Sequence, residues 1–310
     1  MAREPFEDLR ERMIKQAKEG IKSSYTSEEH ALIQAINAYL ETNKSYNLCF
    51  ERLSEWFGIY YPEVRVASPK TLADLALVLN TRDEMSVENI EAVIKDQQKS
   101  ESIFNKASST MGREMNKDEK SAVIAFAQMS NSMYAAMEGL EAYIKQKSNE
   151  ILPNVTYLTD EKIAAELLSR AGSMERLATM PASTIQLLGA EKALFKHIKF
   201  GSKPPKYGVL FKMPEISNGP RDRRGRIARV YATKICIALK ADFYTHNFIA
   251  EKLKADLENA VKKIKEAPAK EKKEFNKNDQ PNRFRRPGRF DQKGRQGGGK
   301  NRFNNNRKRR

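Results

Sequence analysis

Between Lys192 and Arg229 the sequence sets eleven cationic side chains against two carboxylates, Glu215 and Asp222, a net charge of +9. The cations are Lys192, Lys196, Lys199, Lys203, Lys206, Lys212, Arg221, Arg223, Arg224, Arg226 and Arg229. Lysine supplies a point charge and arginine a planar fork that grips phosphate with two donors. Apolar residues are threaded through the block, at Leu194, Phe195, Ile198, Phe200, Val209, Leu210, Phe211 and Ile227, so it reads as a folded basic surface. Such a surface is a footprint for a polyanion, and a phosphate backbone is the commonest one. On a merely solvated helix face the same charges would repel one another. A membrane surface is disfavoured, because no wide apolar face with interfacial tryptophan accompanies the charge. His197 lies inside the block, where RNA contact and structural hydrogen bonding are both open.

Other chemistry finds no support. There is no phosphate-binding glycine loop, no dinucleotide fingerprint, no nucleophile elbow and no histidine spacing suited to a metal. The three histidines, at 30, 197 and 246, are far apart in sequence, and His30 and His246 read as surface or helix-end residues. The pairs Glu28-Glu29 and Asp118-Glu119 sit at helix starts, where the positive helix end accounts for them. No catalytic residue, metal or cofactor is expected, and the chain reads as a non-enzyme. Cys49 and Cys236 fall in helical apolar patterns and read as small buried hydrophobes. No run approaches the roughly 18 apolar residues of a membrane span, and MAREPFEDLRERM lacks a signal-peptide core. A cytosolic or nuclear protein is expected.

The elements that must position the block are helical. The chain of 310 residues is 31% charged and only 8% aromatic, which favours long amphipathic helices over sheet. Apolar spacing predicts a short N-terminal helix over 4–22, and a longer one begins near Ser27, which can cap it. Its stripe runs through Leu32, Ile36, Tyr39, Leu40, Leu48, Leu53, Trp56 and Phe57. A short helix follows over 70–79. Residues 86–151 step by three and four through two segments, with five of eight seam positions apolar in the first and seven of nine in the second. Asn116 with Glu119 supplies a start signal between them, and the pair reads as an antiparallel coiled-coil hairpin. That hairpin is either an internal prop or a self-association arm. Met111, Met115, Met129, Met133 and Met137 read as soft core filler.

After Pro153 short helices lead into the basic block at 160–170, 173–179 and from Pro181. Residues 207–211 read as extended, a helix opens at Pro220, and a last one spans 246–265. On the Pro220 helix Ile227, Val230, Ile235 and Leu239 face inward, with Arg221, Arg224 and Arg229 opposite. The expected organisation is an N-terminal extension (1–27), a helical base (28–85), the hairpin (86–151), an RNA-binding domain (152–266) and a disordered basic tail (267–310). The segment 268–310 carries +12 with Arg-Phe at 283–284, 289–290 and 302–303. That composition suits nonspecific contact with single-stranded RNA.

The residues that carry the charge also resemble a known family. PASTIQLLGAEKALFKHIKFGSKPPKYGVLF (181–211), followed by PEIS (214–217) and RRGRIARVYATK (223–234), is similar to the signature of the Nop domain. NLCFERLSEWFGIYYPEV (47–64), ILPNVTYL (151–158) and AGSMERLATMPAST (171–184) extend the likeness over about 28–265. The resemblance implies a nearly all-helical scaffold of archaeal box C/D ribonucleoproteins. Such a scaffold docks on a kink-turn RNA together with its bound ribosomal-protein-family partner and self-pairs through its coiled coil, supporting guide-directed 2′-O-methylation of rRNA or tRNA by fibrillarin. The compartment implied is the archaeal cytosol, or the nucleolus in a eukaryote.

By position, the resemblance assigns partner-protein contact to Gly189, Ala190, Glu191 and Pro205. It assigns RNA contact to Lys192 and Lys196, to Lys203, Lys206 and Tyr207 in the KPPKYG loop, and to Arg221, Arg224, Arg226 and Arg229. His197, Lys199 and Arg223 join that set through their place in the block. Asp222-Arg223 stands where the family commonly has Trp-Gln. Only 27 residues precede the matching region, against about a hundred for a typical domain, so a fibrillarin-binding domain is not expected here and fibrillarin recruitment stays open. The shortened plan also resembles the spliceosomal Nop-domain factor, an adapter that binds kink-turn complexes without a methylase.

Overall fold

The computed structural model describes residues 4–25, 28–80 and 85–267, and every regular element among them is helical. The Ser27 cap, the polar residues 81–83 and the tail 268–310 lie outside the described residues. No described helix is long and apolar enough to cross a membrane.

Helix α1 (Glu4–Tyr25) runs three residues past the expected end at 22, and its side chains from Phe6 to Lys22 are all exposed. α2 (Glu28–Phe57) is followed by α3 (Pro69–Val78), which Ser68 caps by accepting from the Thr71 N–H at 3.4 Å. Then come α4 (Val87–Ile94), α5 (Gln97–Ser108) and α6 (Lys117–Ile151). The start of α6 is the expected capping box: Asn116 Oδ1 accepts from the Glu119 N–H at 2.8 Å, and Glu119 Oε2 from the Asn116 N–H at 3.0 Å.

The hairpin is assembled differently from the sequence expectation. α6 pairs antiparallel with α2, not with 86–111. Lys147 meets Glu28 at 3.0 Å, Tyr46 and Tyr134 rings lie 5.9 Å apart, Cys49 Sγ is 3.9 Å from Met133 Sδ, and Trp56 meets Phe126 at 6.2 Å. The cause is local. Lys95 takes a left-handed conformation (φ 57°), and Asp96 accepts from the Lys99 N–H at 3.2 Å to begin a new helix. Residues 86–111 therefore become two short helices whose seam is interrupted by Gln97, Glu101 and Ser108. α2 offers the longer apolar stripe.

Two hydrophobic clusters result, and α2 and α6 contribute to both. Leu53, Phe57, Leu72, Leu75, Ile90, Val123 and Ala127 belong to one, at the turn end of the arm. Leu32, Ile36 and Ile144 join the other, with the helices that follow. Of the five methionines expected as filler only Met137 is buried, and Met111 is 89% exposed. Cys49 and Cys236 are half-buried free thiols.

The second cluster holds α7 (Pro153–Leu158), α8 (Glu161–Ala171), α9 (Met174–Thr179), α10 (Ala182–Leu187), α12 (Pro214–Ser217), α13 (Arg224–Lys240) and α14 (Ala250–Glu266). α11 (Glu191–Phe200) lies between α10 and α12 and contributes no buried residue. α13 widens into a π-helical turn over Ala241–Thr245, which ends at His246 in a left-handed conformation (φ 54°). That turn buries Asp242, whose carboxylate accepts from the N–H groups of Asn154 at 3.0 Å and Val155 at 3.2 Å and from Asn154 Nδ2 at 2.7 Å. A carboxylate thus caps the otherwise uncapped N-terminus of α7 from 88 residues away.

Candidate nucleic-acid interface

The basic block folds as a helix, a returning loop and a second helix, each end of which is pinned. α11 begins after Gly189, which has φ +89°. A Cβ there would lie 2.7 Å from Val209 Cγ2, so the position needs glycine on two grounds. The Gly189 N–H donates to Glu191 Oε1 at 2.6 Å, which makes Glu191 a local cap. At the far end Gly201 closes the helix, and His197 Nδ1 bonds the Ser202 carbonyl. His197 therefore has a structural hydrogen bond, one of its two open roles.

The loop returns along α10. The Gly208 N–H donates to the Gln186 carbonyl at 3.0 Å and the Val209 N–H to that of Leu188 at 2.8 Å. Gln186, buried, donates Nε2 to the Lys206 carbonyl at 2.6 Å. A Cβ on Gly208 would fall 1.9 Å from the Leu188 oxygen. Residues 209–212, the core of the segment expected to be extended, form a 3-10 turn instead. Val209 and Leu210 are consecutive and both buried; an extended chain would have sent them to opposite faces.

Tyr207 stacks on Phe211 at 4.7 Å with 10° between the rings, and the Arg224 guanidinium lies 5.7 Å from the Phe211 centroid. Arg224 Nε also donates to the Gly219 carbonyl at 2.8 Å. The Lys206 stem lies beside Gly225 of α13, where an added Cβ would be 3.6 Å from it. These contacts join the loop to the arginine helix. That helix begins at Arg224 rather than Pro220, because Pro220 to Arg223 form a turn in which the Pro220 carbonyl accepts from the Arg223 and Arg224 N–H groups.

The candidate cations accordingly divide. Lys192, Lys196, Lys199, Lys203, Lys206, Arg221, Arg226 and Arg229 are exposed. Arg223 is half-buried, bonds the Lys265 carbonyl and lies 3.4 Å from Asp222. Arg224 is held as described, and Lys212 is paired with buried Glu166. Pro205 and Ala190 are half-buried and Gly189 exposed. The sequence reading missed the exposure of the α11 apolar residues: Phe195 is 68%, Ile198 60% and Phe200 70% exposed. Helical spacing was the available signal. Phe195 and Ile198, three apart, share one side, whereas Lys192, Lys196 and Lys199 share the neighbouring one. Among the described residues no group of three or more His, Cys, Asp or Glu could hold a metal.

Comparison with known proteins agrees in region. The sequence profile of the Nop family, described as a snoRNA binding domain, fibrillarin, matches residues 38–263. An uncharacterized NOP5 family protein of Methanocaldococcus jannaschii is 36% identical over 250 residues, covering 80% of this chain and 60% of that protein. Nucleolar protein 56 of Dictyostelium discoideum is 34% identical over 233 residues, covering 73% and 43%. A solved fibrillarin/Nop5p complex aligns over 85% of this chain and 80% of that one, with TM-score 0.47 and 22% identity. The chain spans about half the length of the curated relatives it matches. With the profile covering most of its length and both curated relatives above 30% identity, the chain belongs to the Nop domain family.

Proposed function

We propose that the protein is a non-enzymatic RNA-binding scaffold of a box C/D-type ribonucleoprotein, which recognises kink-turn RNA together with the ribosomal-protein-family partner already bound to it. The role would serve guide-directed 2′-O-methylation. The observation that carries this reading is α11, a helix with no buried residue, whose lysine side and Phe195/Ile198 side lie next to each other. A lysine face alone would suit any phosphate backbone. An apolar face beside it suits a protein surface, and the two together suit RNA and protein presented side by side. Arg226 and Arg229, exposed on α13, and Lys203 and Lys206, on the pinned loop, are further exposed cations available to phosphate.

Self-pairing through the α2–α6 arm belongs to the same proposal. Near the turn end of that arm, Arg52, Glu55, Trp56, Ile59 and Phe126 line an open groove of about 460 Å³, and Ile59 is 50% exposed. An apolar groove on that arm is a seat for a second copy.

The test is binding of a box C/D kink-turn RNA with and without its partner protein. Tight binding is expected only with the partner present. Phe195→Asp with Ile198→Asp should remove that dependence, and Lys192→Glu with Arg226→Glu should weaken binding by more than about tenfold, since charged hydrogen bonds contribute ~1.5–3 kcal/mol each. Binding that ignores the partner protein would sink the composite-surface reading.

A further inference from the structure

Helix α1 lies outside the matched family region and outside both hydrophobic clusters. Its six apolar residues form one side. Phe6 is 75% exposed, Leu9 53%, Met13 64%, Ile14 43% and Ile21 56%, with Ala17 between them. A 22-residue helix with this much bare apolar surface needs a cover, since most of a helix's stability in a protein comes from packing its apolar face.

The charges beside that side indicate what the cover is. Along one flank the order is Glu7, Glu11, Lys15, Lys18, Lys22, acidic in the first half and basic in the second. The helix dipole favours acid in the first turn and base in the last, but it does not reach Glu11, Lys15 or Lys18. Within one helix this order is partly unfavourable: Glu7 with Glu11, and Lys18 with Lys22, are like charges four apart, and Lys15 with Lys18 three apart. On the other side Asp8 and Arg12 neutralise each other at 2.6 Å. The unbalanced flank therefore asks for a neighbour whose charge order runs the opposite way.

We propose that α1 pairs antiparallel with α1 of a second copy of this chain. A two-fold axis near Met13 and Ile14 sets Met13 against the second copy's Ile14, Phe6 against its Ile21, and Arg10, the one charged side chain within the apolar side, across its Ala17. The same register places Glu7 and Glu11 opposite the second copy's Lys22, Lys18 and Lys15, so each like-charge pair meets its opposite. The contact is isologous and closes as a dimer. It is separate from the α2–α6 groove and does not rest on the RNA-binding reading.

The experiment is sedimentation of the nuclease-treated full-length chain over a concentration series. Glu7→Lys with Glu11→Lys, and separately Lys15→Glu with Lys18→Glu, should each weaken self-association by about tenfold or more, because the facing pairs at the changed positions become repulsive. Mixing the two variants should restore it. All four residues are exposed, so the fold is retained, and circular dichroism verifies this. Unchanged association in either variant, or no recovery on mixing, overturns the proposal, as does a wild-type chain that stays monomeric. Association lost in Trp56→Glu but unaffected by the α1 variants also overturns it and leaves arm pairing standing.

Discussion

Single residues separate exposed cations from those held by the fold. Arg224 reads in sequence like Arg226, yet it is tied to the Gly219 carbonyl and the Phe211 ring, whereas Arg226 is exposed. Arg226→Ala is expected to weaken RNA binding with stability changed by less than about 0.5 kcal/mol; Arg224→Ala should lower the melting temperature as well. Gly208→Ala should cost ~1–3 kcal/mol and disturb the loop, because its new methyl meets a backbone oxygen that holds the loop in place. Asp242 is a pH-sensitive residue. Burial raises its pKa above the ordinary value, opposed by the hydrogen bonds from Asn154 and Val155 and by the nearby His246. A raised native pKa means the folded state keeps its proton where the unfolded chain has lost it. Asp242 therefore contributes most below the ordinary aspartate range, and the contribution falls as pH rises through the native value. Asp242→Asn should flatten that slope in denaturation curves taken across mildly acidic pH, at a cost of ~1–3 kcal/mol from lost acceptors on the α7 N–H groups.

At the scale of elements, two isoleucines on helices carry opposite expectations. Ile144 on α6 is fully buried, so Ile144→Ala should cost ~2–5 kcal/mol in denaturant unfolding. Ile198 on α11 is 60% exposed, so Ile198→Ala should leave unfolding within about 0.5 kcal/mol while lowering partner-dependent RNA binding. The element that sequence periodicity misassigned is instructive. The repeat over 86–111 is helical, but periodicity cannot show that Lys95 turns left-handed and ends one helix, nor which apolar stripe α6 will find. α6 found α2, which is longer and has Leu32, Ile36, Leu53 and Phe57 buried. The start signal at Asn116 with Glu119 was legible because it is local; Ser68, Asp96, Asp160 and Ser173 also cap helices, but the sequence reading did not name them, and the missed cap at Asp96 is what divides 86–111.

Across the whole molecule the charge is divided, and the division yields a measurable salt response. Residues 1–191 carry a net −7, while 192–229 carry +9 and 268–310 carry +12. Affinity for RNA should fall linearly in log–log form with salt, and removal of 268–310 should flatten the slope while partner dependence remains. The helical class, the family and the place of the basic block were determined by sequence alone, because helix periodicity, capping and charge density are local properties of the chain. Which cations are free and which are committed to the fold was decided only in three dimensions. Lys212 is spent on Glu166, Arg223 on the Lys265 carbonyl and Arg224 on Gly219. So was the pairing of α2 with α6, and so was the cap that Asp242 lends to Asn154 across 88 residues. Each of these joins groups far apart in sequence, and a contact of that kind is set by packing, on which local pattern is silent.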